Sequence, residues 1–297
     1  MFSSIFNVAA VFNLFIPAVY RGSSPDYATR NLNTIRSIYN LTVYPNNVPI
    51  IQNGGSAVPR GLFNANATGR ITPLGNFTGF EDSIEYFFGL APVPQNNPAG
   101  SAFYKADIVE FSSGCPDVAS SVVYLHTARV NPETGERVSG AREVPLKQIA
   151  FWRFDSEGSV LKYDAWIPNL PLWIKASIGI DFTNPLVQLG FPSTLCSDIQ
   201  HNCQGKDRQY ANEVDCIARL TRKPFGSMDE IWGDNLACRI IHARLTGIRP
   251  EIHCPHVGPR GGNGPDNFKC VDIDYVQGYI SGDEKLWGST VDTFSCP

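Results

Sequence analysis

Residues 148–167 read QIAFWRFDSEGSVLKYDAWI. Two runs rich in aromatic and β-branched residues flank Asp155-Ser156-Glu157-Gly158, a turn composition, so the stretch predicts an antiparallel hairpin. Toward the amino terminus, residues 107–111 (DIVEF) and 121–127 (SVVYLHT) extend the pattern into a meander of long antiparallel strands. Further out, Leu32, Ile35, Ile38, Tyr39 and Leu41 recur at helical spacing ahead of Pro45, predicting an opening helix over 26–44. Residues 69–88, GRITPLGNFTGFEDSIEYFF, then read as a turn, a short extended piece and a helix over about 80–90 that buries Ile84, Phe87, Phe88 and Leu90. Helices that precede such a sheet cover one of its faces, which makes the front half α+β.

The back half has another character. Ile199, Val214, Ile217, Leu220, Ile231, Leu236, Ile240, Ile241 and Leu245 predict helices over 188–202, 208–221 and 228–247, with loop after Pro250. Asp229 and Glu230 would favour the dipole at the start of the last of these. Of the eight cysteines, seven (Cys196, Cys203, Cys216, Cys238, Cys254, Cys270 and Cys296) lie behind residue 195 and only Cys115 in front. Seven cannot pair among themselves, so full oxidation requires Cys115 to bridge to the rear half; two free thiols are the alternative. Closing a loop that long stabilises by roughly 4 to 5 kcal/mol in the chain-entropy model.

An even cysteine set without C-x-x-C, and the sequons at Asn40, Asn66 and Asn76, indicate a secreted glycoprotein with N-linked glycans. Residues 5–19, IFNVAAVFNLFIPAV, have the length of a signal peptide and are too short and interrupted for a firm membrane span. A net charge of −4 without clustered Lys/Arg removes the electrostatic basis for nucleic-acid binding. The expected organisation is a leader or apolar amino-terminal segment over 1–25, an α+β domain over 26–175 and a cysteine-rich helical extension over 176–297 packed on it.

The run 69–88 followed by strands closing on FWRFDSEGSVLKYDAWI (151–167) resembles the NTF2-like superfamily, and within it SnoaL-like proteins. That resemblance implies a cone, a curved antiparallel sheet wrapped around helices with one pocket inside. The segment 223–259, KPFGSMDEIWGDNLACRIIHARLTGIRPEIHCPHVGP, with KCVDIDY (269–275), is similar to the tail of secreted fungal proteins of no well-established activity.

In SnoaL-like cyclases and related isomerases and dehydratases, Asp, His and Tyr groups in the pocket do acid–base work, because desolvation tunes them toward neutral pH. Here Tyr124 and His126 share one strand face, and Asp164 shares another with Lys162 and Trp166. If both faces point inward, Asp164, His126 and Tyr124 are the catalytic candidates; otherwise Asp164 pairs with Lys162 or Arg153 outside. Tyr39, Tyr86, Phe87, Trp152 and Trp166 are the candidate ligand-binding aromatics.

His242, His253 and His256 are three of only five histidines, yet H-E-x-x-H is absent and Cys254 reads as a disulfide half. The sequence reading therefore assigns no metal and no cofactor, with these histidines bonding backbone carbonyls in a stapled loop and standing only as weak ligand candidates. Residues 258–265 (GPRGGNGP) do not form a phosphate cradle, and Asp272 and Asp274 lack the other ligands of a calcium loop.

The leading expectation is a pocket that binds a small apolar or aromatic molecule, with or without SnoaL-like cyclase, isomerase or dehydratase chemistry. The alternative is a non-catalytic structural or interaction protein of the fungal cell wall or host interface, with a solid interior. A metal-dependent enzyme using the rear histidines ranks third. Oligomeric state has no signature in the sequence.

Overall fold

The computed structural model describes residues 26–264 and 267–274. The apolar segment 5–19 and Cys296 lie outside the described residues.

Helix α1 (Asp26–Thr42) buries Ile35, Ile38 and Tyr39 on one stripe, and a short α2 (Val48–Asn53) follows. Strands β1 (Phe63–Thr72) and β2 (Gly75–Thr78) lead into α3 (Gly79–Ile84), which runs on through one π turn, Glu85–Gly89. Four long strands come next: β3 (Ser101–Cys115), β4 (Val118–Arg129), β5 (Val144–Phe154) and β6 (Val160–Trp166). They form one six-stranded sheet in the order β2-β1-β6-β5-β4-β3. The meander β3 to β6 is antiparallel as expected. The sheet as a whole is mixed, because β1 lies parallel to β6, with Arg70 opposite Asp164. Sequence reading passes over most of β1, since FNANATGRIT alternates weakly and carries two Asn and a Gly. That glycine has a packing reason: a Cβ on Gly69 would sit 2.3 Å from the Tyr163 ring.

The strand period decides which side chains face the helices. Val123, Leu125, Gln148, Ala150, Trp152, Phe154, Tyr163 and Ala165 are buried against α1 and the α3 turn, with Trp152 edge-on to Tyr39 and stacked on Phe87. The opposite parity, including Tyr124, His126, Phe151, Asp164 and Trp166, forms the other face.

Behind the sheet come α4 (Leu170–Ser177), α5 (Pro185–Asn202), α6 (Glu213–Leu220), α7 (Leu236–Leu245) and α8 (Pro250–Val257). The expected helix over 228–247 begins only at Leu236: Asn235 caps it, its side chain accepting from Cys238 N–H, and Asp229 and Glu230 lie before it. The backbone of Ile231 instead donates to Pro73 of the front half at 3.0 Å. The loop expected after Pro250 is α8, since proline at a first helical position costs no hydrogen bond.

Rear residues Leu195, Ile199, Leu220 and Val257 form a second core around cysteines, while Met228, Ile231, Ala237 and Ile240 join the front core. Cys196–Cys216, Cys203–Cys254 and Cys238–Cys270 are disulfides. Cys115 is disulfide-bonded as well, and none of the described cysteines is free. Among the described residues no helix is long and apolar enough to cross a membrane.

Candidate functional site

A cavity of about 480 Å³ lies between the concave face of the sheet and the rear helices. From the front half come Tyr39 of α1, Tyr86, Phe87 and Leu90 at the π turn, and Leu125, Leu146 and Gln148 of the sheet. From the rear come Phe191, Leu195, Asp198 and Asn202 of α5 and Ile240, Ile241 and Arg244 of α7. Gln148 is 3% exposed whereas Asp198 is open to solvent, so the cavity runs from a buried floor to the surface beside α5.

The floor holds one polar chain in an apolar wall. The Tyr39 hydroxyl donates to Gln148 Oε1, and Gln148 Nε2 donates to the Tyr86 hydroxyl oxygen. Burial pushes both phenols far above their ordinary value, so they stay protonated. Tyr86 thus accepts from Gln148 and keeps its own O–H to offer. Among the described lining residues there is no histidine, and the one carboxylate is Asp198 at the open side.

Tyr39, Tyr86 and Phe87 line this cavity. Trp152 does not: it is fully buried behind the floor, its indole N–H donating to Ser121 Oγ at 2.8 Å. Trp166 is on the outer face, edge-on to Phe151 at 5.8 Å. Asp164, His126 and Tyr124 share that outer parity, because buried Tyr163, Ala165, Val123 and Leu125 take the inward positions. The premise that Asp164 and His126 face inward therefore fails. Nor do these two meet. His126 pairs with Pro145 and Asp164 with Phe151, six residues apart along β5 and so roughly 20 Å. His126 is held by Asp107 at 2.9 Å and Glu143 at 2.7 Å. Asp164 lies opposite Arg70 of β1 in register; burial raises its pKa and Arg70 opposes the rise.

The rear histidines do come together. His242 Nδ1 is 3.2 Å from both His253 Nδ1 and His256 Nδ1, and none of the three rings bonds a backbone carbonyl as expected. Burial, then the neighbouring imidazoles, hold His242 well below the ordinary histidine value, and burial brings His256 down to about 4. Sequence reading ranked this cluster low because α8 carries Pro255 within it, and a helix there was not expected.

A cavity closed by a rear helical unit is the setting in which likeness to other proteins becomes informative. Residues 176–272 match the BfoA family C-terminal domain. The matched segment supplies Phe191, Leu195, Asn202, Ile240, Ile241 and Arg244 to the cavity wall, and holds all three clustered histidines. Along most of its length the chain is similar to "Bifonsecin B biosynthesis cluster protein A" of Aspergillus brasiliensis, 29% identical over 86% of this chain and 84% of that one. It is likewise similar to "Aurasperone B biosynthesis cluster protein A" of Aspergillus niger, 28% identical over 87% and 84%. Among solved structures, a protein assigned as a SnoaL-like polyketide cyclase from Jannaschia sp. CCS1 aligns with 53% of this chain and 96% of its own, at 12% identity and TM-score 0.34. A ketosteroid isomerase-like protein from Erwinia carotovora aligns with 48% and 98%, at 12% identity and TM-score 0.29. Both alignments cover about half of this chain.

Gln148 is the cavity residue that sequence reading missed. The signal was present: an amide at an inward parity of a strand otherwise reading Leu146, Ala150, Trp152 has to find partners. The rear wall carried no such signal, since the apolar residues of α5 and α7 mark helices without stating that they close a cavity.

Proposed function

We propose that this protein binds a small, largely apolar aromatic molecule in the cavity between the cone and the BfoA C-terminal domain. The Tyr39–Gln148–Tyr86 chain is the observation that carries the reading: three buried polar groups at the floor of a largely apolar cavity orient a guest, and Tyr86 offers a hydrogen to a carbonyl or hydroxyl oxygen. The volume falls within the usual few hundred to a thousand Å³ of small-molecule sites. It speaks against the solid interior that a purely structural wall protein would have. Binding is favoured over acid–base catalysis of the Asp/His kind, because neither Asp164 nor His126 reaches the cavity. The names of the Aspergillus relatives support a role in a fungal biosynthetic pathway.

The test is a pair of probes differing in one acceptor, 2-acetylnaphthalene and 2-ethylnaphthalene. The wild-type protein is expected to bind the ketone about tenfold more tightly, the worth of one buried hydrogen bond. Tyr86→Phe, which removes the offered hydroxyl and keeps the ring, is expected to abolish that preference while still binding both. Equal affinity for the two probes in the wild type, or no binding of either, would sink the reading.

We also read the chain as a secreted glycoprotein. Bonded cysteines support this, and Asn40, Asn66 and Asn76 are all exposed. Mass mapping of the unreduced secreted protein is expected to return a Cys115–Cys296 peptide and sugar on those asparagines. Two alkylatable thiols and bare asparagines would count against it.

A further inference from the structure

The three rear histidines are arranged so that their lone pairs converge. His253 and His256 lie three residues apart on one face of α8, and His242 faces them from α7. On the far side of each α8 ring stands an acceptor. His253 Nε2 meets Glu85 Oε2 at 2.9 Å, and His256 Nε2 meets Asn267 Oδ1 at 2.7 Å. Arg249 donates to both oxygens of Glu85, which keeps that carboxylate an acceptor. Asn267 Nδ2 donates to Asn263 Oδ1 at 2.8 Å, which fixes its amide with the oxygen toward His256.

Each acceptor draws the ring hydrogen of a neutral imidazole onto Nε2, so Nδ1 of His253 and of His256 presents a bare lone pair inward. His242 Nδ1, 3.2 Å from both, has at most one hydrogen for these two lone pairs. A buried cluster with more acceptors than donors is costly unless a cation fills it. The spacing suits one. Nitrogens bound tetrahedrally at 2.0–2.1 Å stand about 3.3 Å apart, and the three ligand atoms here lie within 4.8 Å of one another.

We propose that His242, His253 and His256 bind a divalent first-row transition-metal ion, zinc being the ion that the neutral imidazole set fits first. Glu85 and Asn267 are the positioning residues, in the carboxylate–histidine–metal manner. Cys238 and Cys270 also approach His242, but they are spent in a disulfide and offer no thiolate. The ligands come from the rear helices and one of their supports, Glu85, from the front half. The ion would therefore brace the two walls of the cavity, next to lining residues Tyr86, Ile241 and Ala243.

The experiment uses untagged full-length protein, stripped with a chelator and titrated with Zn²⁺ by calorimetry and with Co²⁺ by visible absorption. Wild type is expected to take up one ion per chain, with Co²⁺ giving the intense bands of a tetrahedral site. His242→Ala should weaken uptake by more than about a hundredfold, Asn267→Ala by about tenfold, and exposed His201→Ala by nothing. Circular dichroism checks that each variant is folded. Should His242→Ala not fold, the Asn267→Ala shift and the Co²⁺ spectrum decide. No stoichiometric uptake by wild type, or uptake that survives in a folded His242→Ala or falls with His201→Ala, overturns the proposal.

Discussion

Replacing Glu85 by glutamine is expected to lower the unfolding free energy by about 3 kcal/mol, read as a lower urea midpoint at unchanged slope. Glu85 is 3% exposed and takes hydrogen bonds from Arg249 and His253. Removing one member of a buried charge network leaves its partners uncompensated, which costs about 3–5 kcal/mol. The lower figure applies because Asp82 still faces Arg249 at 2.6 Å. The pH dependence follows from the sign of the shift. Burial would raise the Glu85 carboxyl, but the hydrogen bonds from Arg249 and His253 and the charge of Arg249 override it and hold the pKa below the ordinary value. A carboxylate lowered in the folded state stabilises above its unfolded pKa, about 4.3, and that contribution is lost as pH falls through the folded value. The gap between wild type and Glu85→Gln should therefore be full at pH 6 and narrow below pH 4. A gap under about 1 kcal/mol at pH 6, or one that widens in acid, would show that the network is not stabilising as drawn.

The disulfides should rank by the loop each closes. Cys203–Cys254 spans 51 residues, Cys238–Cys270 spans 32 and Cys196–Cys216 spans 20. The chain-entropy relation gives about 4.1, 3.7 and 3.3 kcal/mol in that order. Of these three, the Cys203→Ala/Cys254→Ala pair should thus destabilise most. It also frees the end of α5, which lines the cavity through Asp198 and Asn202, so probe affinity should fall with stability. Affinity unchanged in a destabilised double variant would mean that the rear wall does not depend on this staple, and a reversed ranking would refute the loop-length account.

Much of the fold was legible because it rests on local periodicity. The stripe of Ile35, Ile38 and Tyr39 and the alternation through 148–154 each state their buried face directly. Elements with weak periodicity were harder. Strand β1 is polar and irregular, and its parallel partner β6 lies about ninety residues away, a pairing set by a crossover that no local window contains. α8 was hidden by its two prolines, although Pro250 sits where a helix tolerates one. The acid–base candidates were misplaced for a simpler reason. A strand states that two faces exist but not which one the helices cover; Asp164 and His126 fall on the uncovered parity, at distant places along β5.

The sequence by itself determined the α+β class, the hairpin at 148–167 and the crowding of cysteines and histidines at the rear, because composition and short-range spacing are properties of the chain alone. Only the tertiary structure decided that α5 and α7 close the cone into a cavity, and that Gln148 rather than Asp164 is the polar group at its floor. Only the tertiary structure brought Glu85 to His253, 168 residues further on. Contacts of that span depend on how the front and rear halves meet, and burial of their joint apolar surface, not any local pattern, sets that meeting.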